Sequence, residues 1–154
     1  MVAHLSFNSP LGPLTVFADA GALIVIEAGQ VPGPGSDDPL LTEARRQLDA
    51  YFDGKLRDFD LPLNPDGTAR QREIWTAMAK IPYGQTRTYG ELAKDVGSVA
   101  RAVGGACGAN PLPIVIPCHR VLGAGDAIGG YSFADGADTK RQLLALEGVR
   151  LGLL

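Results

Sequence analysis

The turn signal Asn64-Pro65-Asp66-Gly67 constrains this chain most, because the residue pattern changes character across it. Before it, three short β-rich runs at 5–7, 14–18 and 22–26 are separated by Ser9-Pro10-Leu11-Gly12-Pro13 and Asp19-Ala20-Gly21. Gly and Pro punctuation at that spacing predicts an antiparallel meander. Residues 29–39 hold three Gly and three Pro, which predicts an exposed loop. Leu41, Ala44, Leu48 and Phe52 then fall at helical spacing, predicting a helix over 42–52 closed by Asp53-Gly54. After the turn the helical period takes over. Residues 69–79 read as an amphipathic helix with Ile74, Trp75 and Met78 inward. Thr88 and Glu91 form a capping box for a helix over 88–96, and Ser98 reads as the N-cap of another reaching about 108. Two short helices joined through Gly97 predict a helix-turn-helix. A last helix is predicted over 140–146. The expectation is an α+β chain: an antiparallel sheet with a helix in residues 1–63, and a helical domain in 64–154.

With 45% hydrophobic and 20% charged residues, the chain can bury a real core, and it has no apolar stretch of membrane-spanning length. The start, Met1-Val2-Ala3-His4-Leu5, lacks the basic and apolar segments of a secretion signal. A cytoplasmic protein without a membrane partner is expected, with Cys107 and Cys118 as reduced thiols. No metal is expected, since two Cys and two His occur without a short ligand pair. His4 reads as a surface residue on the first strand. The net charge of −3 speaks against a nucleic-acid partner until it is mapped along the chain. Residues 1–63 carry 4 basic and 9 acidic side chains, residues 64–121 carry 7 and 4, so the positive excess lies in the segment that holds Cys118. That distribution permits DNA contact.

The apolar run Pro113-Ile114-Val115-Ile116 reads as a strand delivering Pro117-Cys118-His119-Arg120 into a turn. A thiolate attacks where a thiol does not, so an adjacent imidazole is a direct means of activation at neutral pH. The bland alternative is an inert buried cysteine. Cys107 reads as a packing residue, and Arg120 as a brace for the turn rather than a phosphate ligand.

Further motifs follow in order: Tyr89-Gly90-Glu91-Leu92-Ala93, Arg101-Ala102-Val103-Gly104-Gly105-Ala106, Asn110-Pro111, Ile116-Pro117-Cys118-His119-Arg120-Val121, Gly130-Tyr131-Ser132 and Leu143-Leu144-Ala145-Leu146-Glu147-Gly148. This array resembles the O6-alkylguanine-DNA alkyltransferases, also called methylated-DNA–protein-cysteine methyltransferases. The likeness is strong from Gln71 to Gly148 and looser before, where Ser9-Pro10-Leu11-Gly12-Pro13-Leu14 is similar to the family's opening hairpin. It implies a ribonuclease H-like scaffold in the first domain and a DNA-binding, alkyl-accepting second domain. It also implies a cofactor-free, single-turnover repair reaction on double-stranded DNA carrying O6-alkylguanine, with O4-alkylthymine as an open alternative lesion, by a monomer. Cys118 matches the alkyl acceptor, His119 the base acting through a water, and Glu147 the carboxylate that orients it. Tyr89 matches the tyrosine that hydrogen-bonds N3 of guanine, and Ser132, after Tyr131, the residue whose N–H faces O6. Arg101 matches the arginine that fills the gap left by a flipped base. Ala102, Gly104 and Gly105 match the small residues that let the second helix lie in the minor groove. Asn110 matches a structural asparagine holding the turn before the cysteine. Pro113, Val115 and Val121 are expected to shape the pocket with Tyr131 and Ser132.

Taken alone, each residue has a plainer reading: Tyr89 as interhelix packing, Arg101 as a solvated side chain, Glu147 as a surface charge at a helix end. The chain also departs from the family pattern. It is about two residues shorter between Tyr89 and Arg101, has Arg70 where an aromatic is usual, and carries Phe133–Thr139 in place of a short Gly-Gly loop that roofs the pocket. Cys107-Gly108-Ala109 replaces a stretch that often carries an arginine. Two rival functions remain: a non-catalytic alkylated-base-binding protein, which Cys118 argues against, and a redox-sensing DNA-binding module, which lacks an evident resolving cysteine.

Overall fold

The computed structural model describes residues 1–151. The last three residues of the expected 64–154 domain lie outside the described residues. Two compact units divide between Asp66 and Gly67.

In the first unit, β1 (Ala3–Ser9), β2 (Gly12–Asp19) and β3 (Ala22–Ala28) form the predicted antiparallel meander in the order β1-β2-β3. Helix α1 (Pro39–Phe52) packs on it, with Leu14, Val16, Leu23 and Ile26 of the sheet and Leu41, Ala44 and Leu48 of the helix all buried. The helix starts three residues earlier than its pattern predicts. Asp38 caps it by accepting from Leu40 N (2.9 Å), and Pro39 sits in the first turn, where its missing N–H costs nothing. Tyr51, rather than Phe52, takes the last core position; both fit the helical spacing from Leu48, and Phe52 is only half-buried. Buried Gln47 is satisfied by Asp60, donating to its carbonyl (3.0 Å) and accepting from its N–H (2.9 Å). The loop over 29–38 is mostly exposed, as predicted. His4 is half-buried, 6.1 Å from the Phe17 ring, and is not the surface residue expected.

In the second unit, α2 (Ala69–Ala79) buries Ile74, Trp75 and Met78 as its pattern predicts. Helix α3 (Tyr89–Asp95) has the predicted capping box: Thr88 Oγ1 accepts from Glu91 N (3.1 Å), and Thr88 N donates to Glu91 Oε1 (2.9 Å). Helix α4 (Ala100–Ala109) begins after Val99, so Ser98 is not its cap. The reason lies in how α3 ends. Gly97, at φ +64°, donates to Lys94 O (3.3 Å) and Ser98 N to Ala93 O (2.8 Å), a Schellman ending that commits the Ser98 backbone to the preceding helix. Helix α5 (Ala137–Leu146) follows Gly136 (φ +66°) and starts three residues before the predicted start. Residues 137–139 therefore belong to a helix rather than to a loop.

The run Pro113–Ile116 is not a strand. It is a tight turn closed by Ile116 N to Leu112 O (2.9 Å), with Ile114 at φ +75°, a costly conformation for a β-branched residue. Pro113, Ile114 and Ile116 are buried by curling inward, while Val115 stays half-buried. Nearby stands a two-residue parallel ladder that the sequence pattern does not announce, β4 (Arg87–Thr88) with β5 (Val121–Leu122). Among the described residues no helix is long and apolar enough to cross a membrane.

Trp75 connects α2 to α4. Asn110 N donates to Cys107 O (3.3 Å), which leaves Ala106 O at the helix end to accept from Trp75 Nε1 (2.8 Å). Trp75→Phe keeps an aromatic ring but strands that buried carbonyl. We expect a loss of about 1–3 kcal/mol in urea unfolding.

Candidate active site

Cys118 opens a buried 3₁₀ turn, Cys118–Arg120, directly after the 113–116 turn. One side chain holds both. Asn110 Nδ2 donates to Ile116 O (2.9 Å) and to Cys118 Sγ (3.1 Å), while its Oδ1 accepts from Leu112 N (2.9 Å). Burial pushes the Cys118 thiol up, and the Asn110 hydrogen bond and the Lys140 charge oppose that push.

His119 is fully buried, with Nε2 2.7 Å from Glu147 Oε2. Burial lowers its basicity below the ordinary 6.5. An ionised carboxylate only accepts, so Nε2 carries the proton and Nδ1 holds the free lone pair. Nδ1 is buried and has no hydrogen-bond partner among the described residues. Glu147 follows the last turn of α5, the negative end of the helix, where a carboxylate is electrostatically opposed. Arg120 answers this with Nε to Oε1 (2.8 Å) and Nη2 to Oε2 (3.0 Å), and Gly84 N adds a donor to Oε1 (3.3 Å). Arg120 Nη1 also reaches Ile81 O (2.7 Å), so this arginine braces the turn, and Glu147 is no surface charge.

A cavity of about 420 Å³ is lined by Tyr89, Gly104, Cys107, Gly108, Gly130, Tyr131 and Ser132. Four of the residues singled out by sequence thus meet around one cavity: Tyr89, Gly104, Tyr131 and Ser132. Asn110, Pro113, Val115 and Val121 do not line it. Pro113 is spent on its bridge to Ile116 and Val121 on its pairing with Arg87, while Asn110 holds the sulfur. The 133–139 segment, expected to roof the pocket, contributes no lining residue either. Arg101 and Gly105 are exposed on α4, and Ala102 is half-buried. Cys107 is on the cavity wall rather than packed in the interior, and burial pushes its thiol up to about 12.

Sequence reasoning missed Lys140. Its Nζ, wholly buried, donates to Val121 O (2.7 Å) and Gly130 O (3.4 Å) and lies 5.7 Å from the centre of the Tyr89 ring. A buried ammonium that is held by carbonyls stabilises negative charge on a nearby sulfur. The signal was present: Lys140, Leu143, Leu144 and Glu147 share the buried stripe of α5 at spacings of three, four and seven.

Two family models divide the chain between them. The 6-O-methylguanine DNA methyltransferase ribonuclease-like domain matches residues 2–65, and the DNA binding domain of the same methyltransferase matches 69–149. The chain belongs to this family. It is 44% identical over 151 residues to the methylated-DNA–protein-cysteine methyltransferase of Methanosarcina acetivorans, covering 92% of this chain and 96% of the relative. The enzyme of the same name from Methanosarcina barkeri is 53% identical over 149 residues, covering 91% and 93%. Among solved structures, Mycobacterium tuberculosis O6-methylguanine methyltransferase superposes with a TM-score of 0.84 at 40% identity, covering 100% of this chain and 97% of that one. The OGT of the same organism in complex with DNA gives 0.82 at 42%, covering 94% and 91%.

Two outcomes follow from the clamp on Glu147. Arg120→Met takes both guanidinium donors from a buried carboxylate and should cost roughly 3–5 kcal/mol in denaturant unfolding. Because His119 is less basic folded than unfolded, the unfolded chain takes up a proton first as pH falls through 6.5. Stability should therefore drop between about pH 6.5 and 5, above the range where carboxylates titrate, and the drop should be smaller in His119→Asn.

Proposed function

We propose that this chain is a suicidal DNA repair methyltransferase that takes the alkyl group from O6 of guanine in duplex DNA onto Cys118 Sγ. The observation that carries this reading is the linked set Asn110–Cys118 and His119–Glu147 in a chain of this family. His119 Nδ1 accepts the thiol proton through a water, and Glu147 steadies the imidazolium that forms. The sulfur attacks the alkyl carbon, the carbon–O6 bond breaks, and its electron pair passes into the guanine ring. Tyr89 donates to N3 and the Ser132 N–H faces O6, so charge developing on the base meets fixed donors. The products are a thioether on Cys118 and a guanine anion, which becomes unmodified guanine on taking up one proton as His119 releases the one it accepted from the thiol. One protein corrects one lesion and needs no diffusible cofactor.

Cys118 is only 4% exposed, so the alkyl group must be brought to it by turning the nucleotide out of the helix. Exposed Arg101, in the first turn of α4, fills the gap in the duplex, and Ala102, Gly104 and Gly105 allow the helix to approach the minor groove. Residues 1–63 act as scaffold and 64–154 as the DNA-binding and acceptor domain of a cytoplasmic monomer. O4-alkylthymine is a second lesion of the same chemistry. The non-catalytic base-binding alternative is not favoured, because a donor-held thiol stands at the acceptor position.

Intact mass after incubation with a duplex carrying one O6-methylguanine tests this directly. Wild type should gain one methyl group per molecule and Cys118→Ala none. Binding of the lesion duplex by wild type with no gain in mass would overturn the transferase reading.

A further inference from the structure

Cys107 does not serve the displacement reaction, yet it stands on the wall of the cavity beside the two tyrosines. With its thiol pushed up to about 12, it stays protonated at neutral pH and behaves as a small apolar group rather than as a second nucleophile. Helix α4 presents only Gly104, Cys107 and Gly108 to this cavity, at spacings of three and four that place them on one face. A Cβ built on Gly104 or Gly108 meets nothing within 4 Å, so the space in front of this face is open. The thiol is the only side chain that α4 projects there.

The other walls are of a different kind. Tyr89 and Tyr131 bring two aromatic rings to the cavity, and the Tyr131 hydroxyl is buried without a hydrogen-bond partner among the described residues. A buried unpaired hydroxyl is costly unless something that enters the cavity pairs with it. Asn110 donates from its backbone N to the Cys107 carbonyl (3.3 Å) and from Nδ2 to the Cys118 sulfur (3.1 Å), so the sulfur lies close behind this wall. A group travelling from the cavity to Cys118 therefore passes beside Cys107.

Resting on the proposed function, we infer that Cys107 is the residue that sets the size of alkyl group this protein accepts. Its small side chain, between Gly104 and Gly108, leaves room for a flat apolar substituent as large as benzyl. A bulkier residue at 107 occupies the space such a substituent needs while interfering less with a methyl group.

The measurement is the ratio of single-turnover rates on duplexes carrying O6-benzylguanine and O6-methylguanine, followed by intact mass for wild type, Cys107→Ala and Cys107→Leu. In Cys107→Leu the benzyl-to-methyl ratio should fall roughly tenfold or more, the scale on which a pocket rejects added bulk. In Cys107→Ala it should stay at or above the wild-type ratio, which separates size from loss of the thiol. Equal slowing on both substrates in Cys107→Leu overturns the inference, as does a fall of the ratio in Cys107→Ala. Wild type that accepts methyl but refuses benzyl overturns it too and leaves the proposed function standing, whereas wild type that accepts neither removes the proposed function itself.

Discussion

The Glu147 carboxylate, buried at the end of α5, is the fixed point of the second unit. Left alone it would be strongly unfavourable there, both desolvated and facing the negative end of its own helix. Arg120, His119 and the Gly84 N–H compensate it, and in doing so join three segments far apart in sequence: the 81–84 turn, the Cys118–Arg120 turn and α5. Neighbours in sequence thus divide the labour. Cys118 carries the proposed chemistry, His119 links it to the carboxylate, and Arg120 holds the carboxylate where His119 can use it.

A second layer supports the sulfur from the other side. Asn110 donates from Nδ2 to both Ile116 O and the thiol, and accepts from Leu112 N at Oδ1. Lys140 adds a buried positive charge whose donors are directed at Val121 O and Gly130 O. The same ammonium therefore fixes the segment after the Cys–His–Arg turn and the glycine-rich segment before Tyr131. A site that stabilises a thiolate away from bulk solvent gains from charges already held in place, because they need no rearrangement when the proton leaves.

Much of this was legible in the residues, unevenly and for physical reasons. Gly and Pro punctuation located the meander, and the period of 3.6 located α2 with its buried face, because those signals are local. Thr88 and Glu91 declared the start of α3 for the same reason. Ser98 misled, since the Schellman ending of α3 had a prior claim on it that no single-residue preference reveals. Pro113–Ile116 misled more seriously: a short apolar run is buried equally well as a strand or as a curled turn, and Asn110, three residues upstream, decided between them. Of the site, Cys118, His119 and Glu147 were visible through ordered motifs. Lys140 was not, because a lysine on an otherwise apolar stripe is read as an exception unless the carbonyls waiting for it are known. The place of Cys107 on the cavity wall likewise depends on how α4 is rotated, which only packing determines.

The two-residue ladder between Arg87-Thr88 and Val121-Leu122 carries one more consequence. It joins, by main-chain hydrogen bonds, the cap residue that precedes Tyr89 to the residues that follow Cys118-His119-Arg120. The spacing between the tyrosine and the thiol is therefore set by backbone, and contacts of such long sequence separation form only when most of the chain around them has closed. A partly folded chain would hold the same cysteine with neither its imidazole relay nor its aromatic wall. The relay and the aromatic wall therefore come into being together, and only with the finished fold.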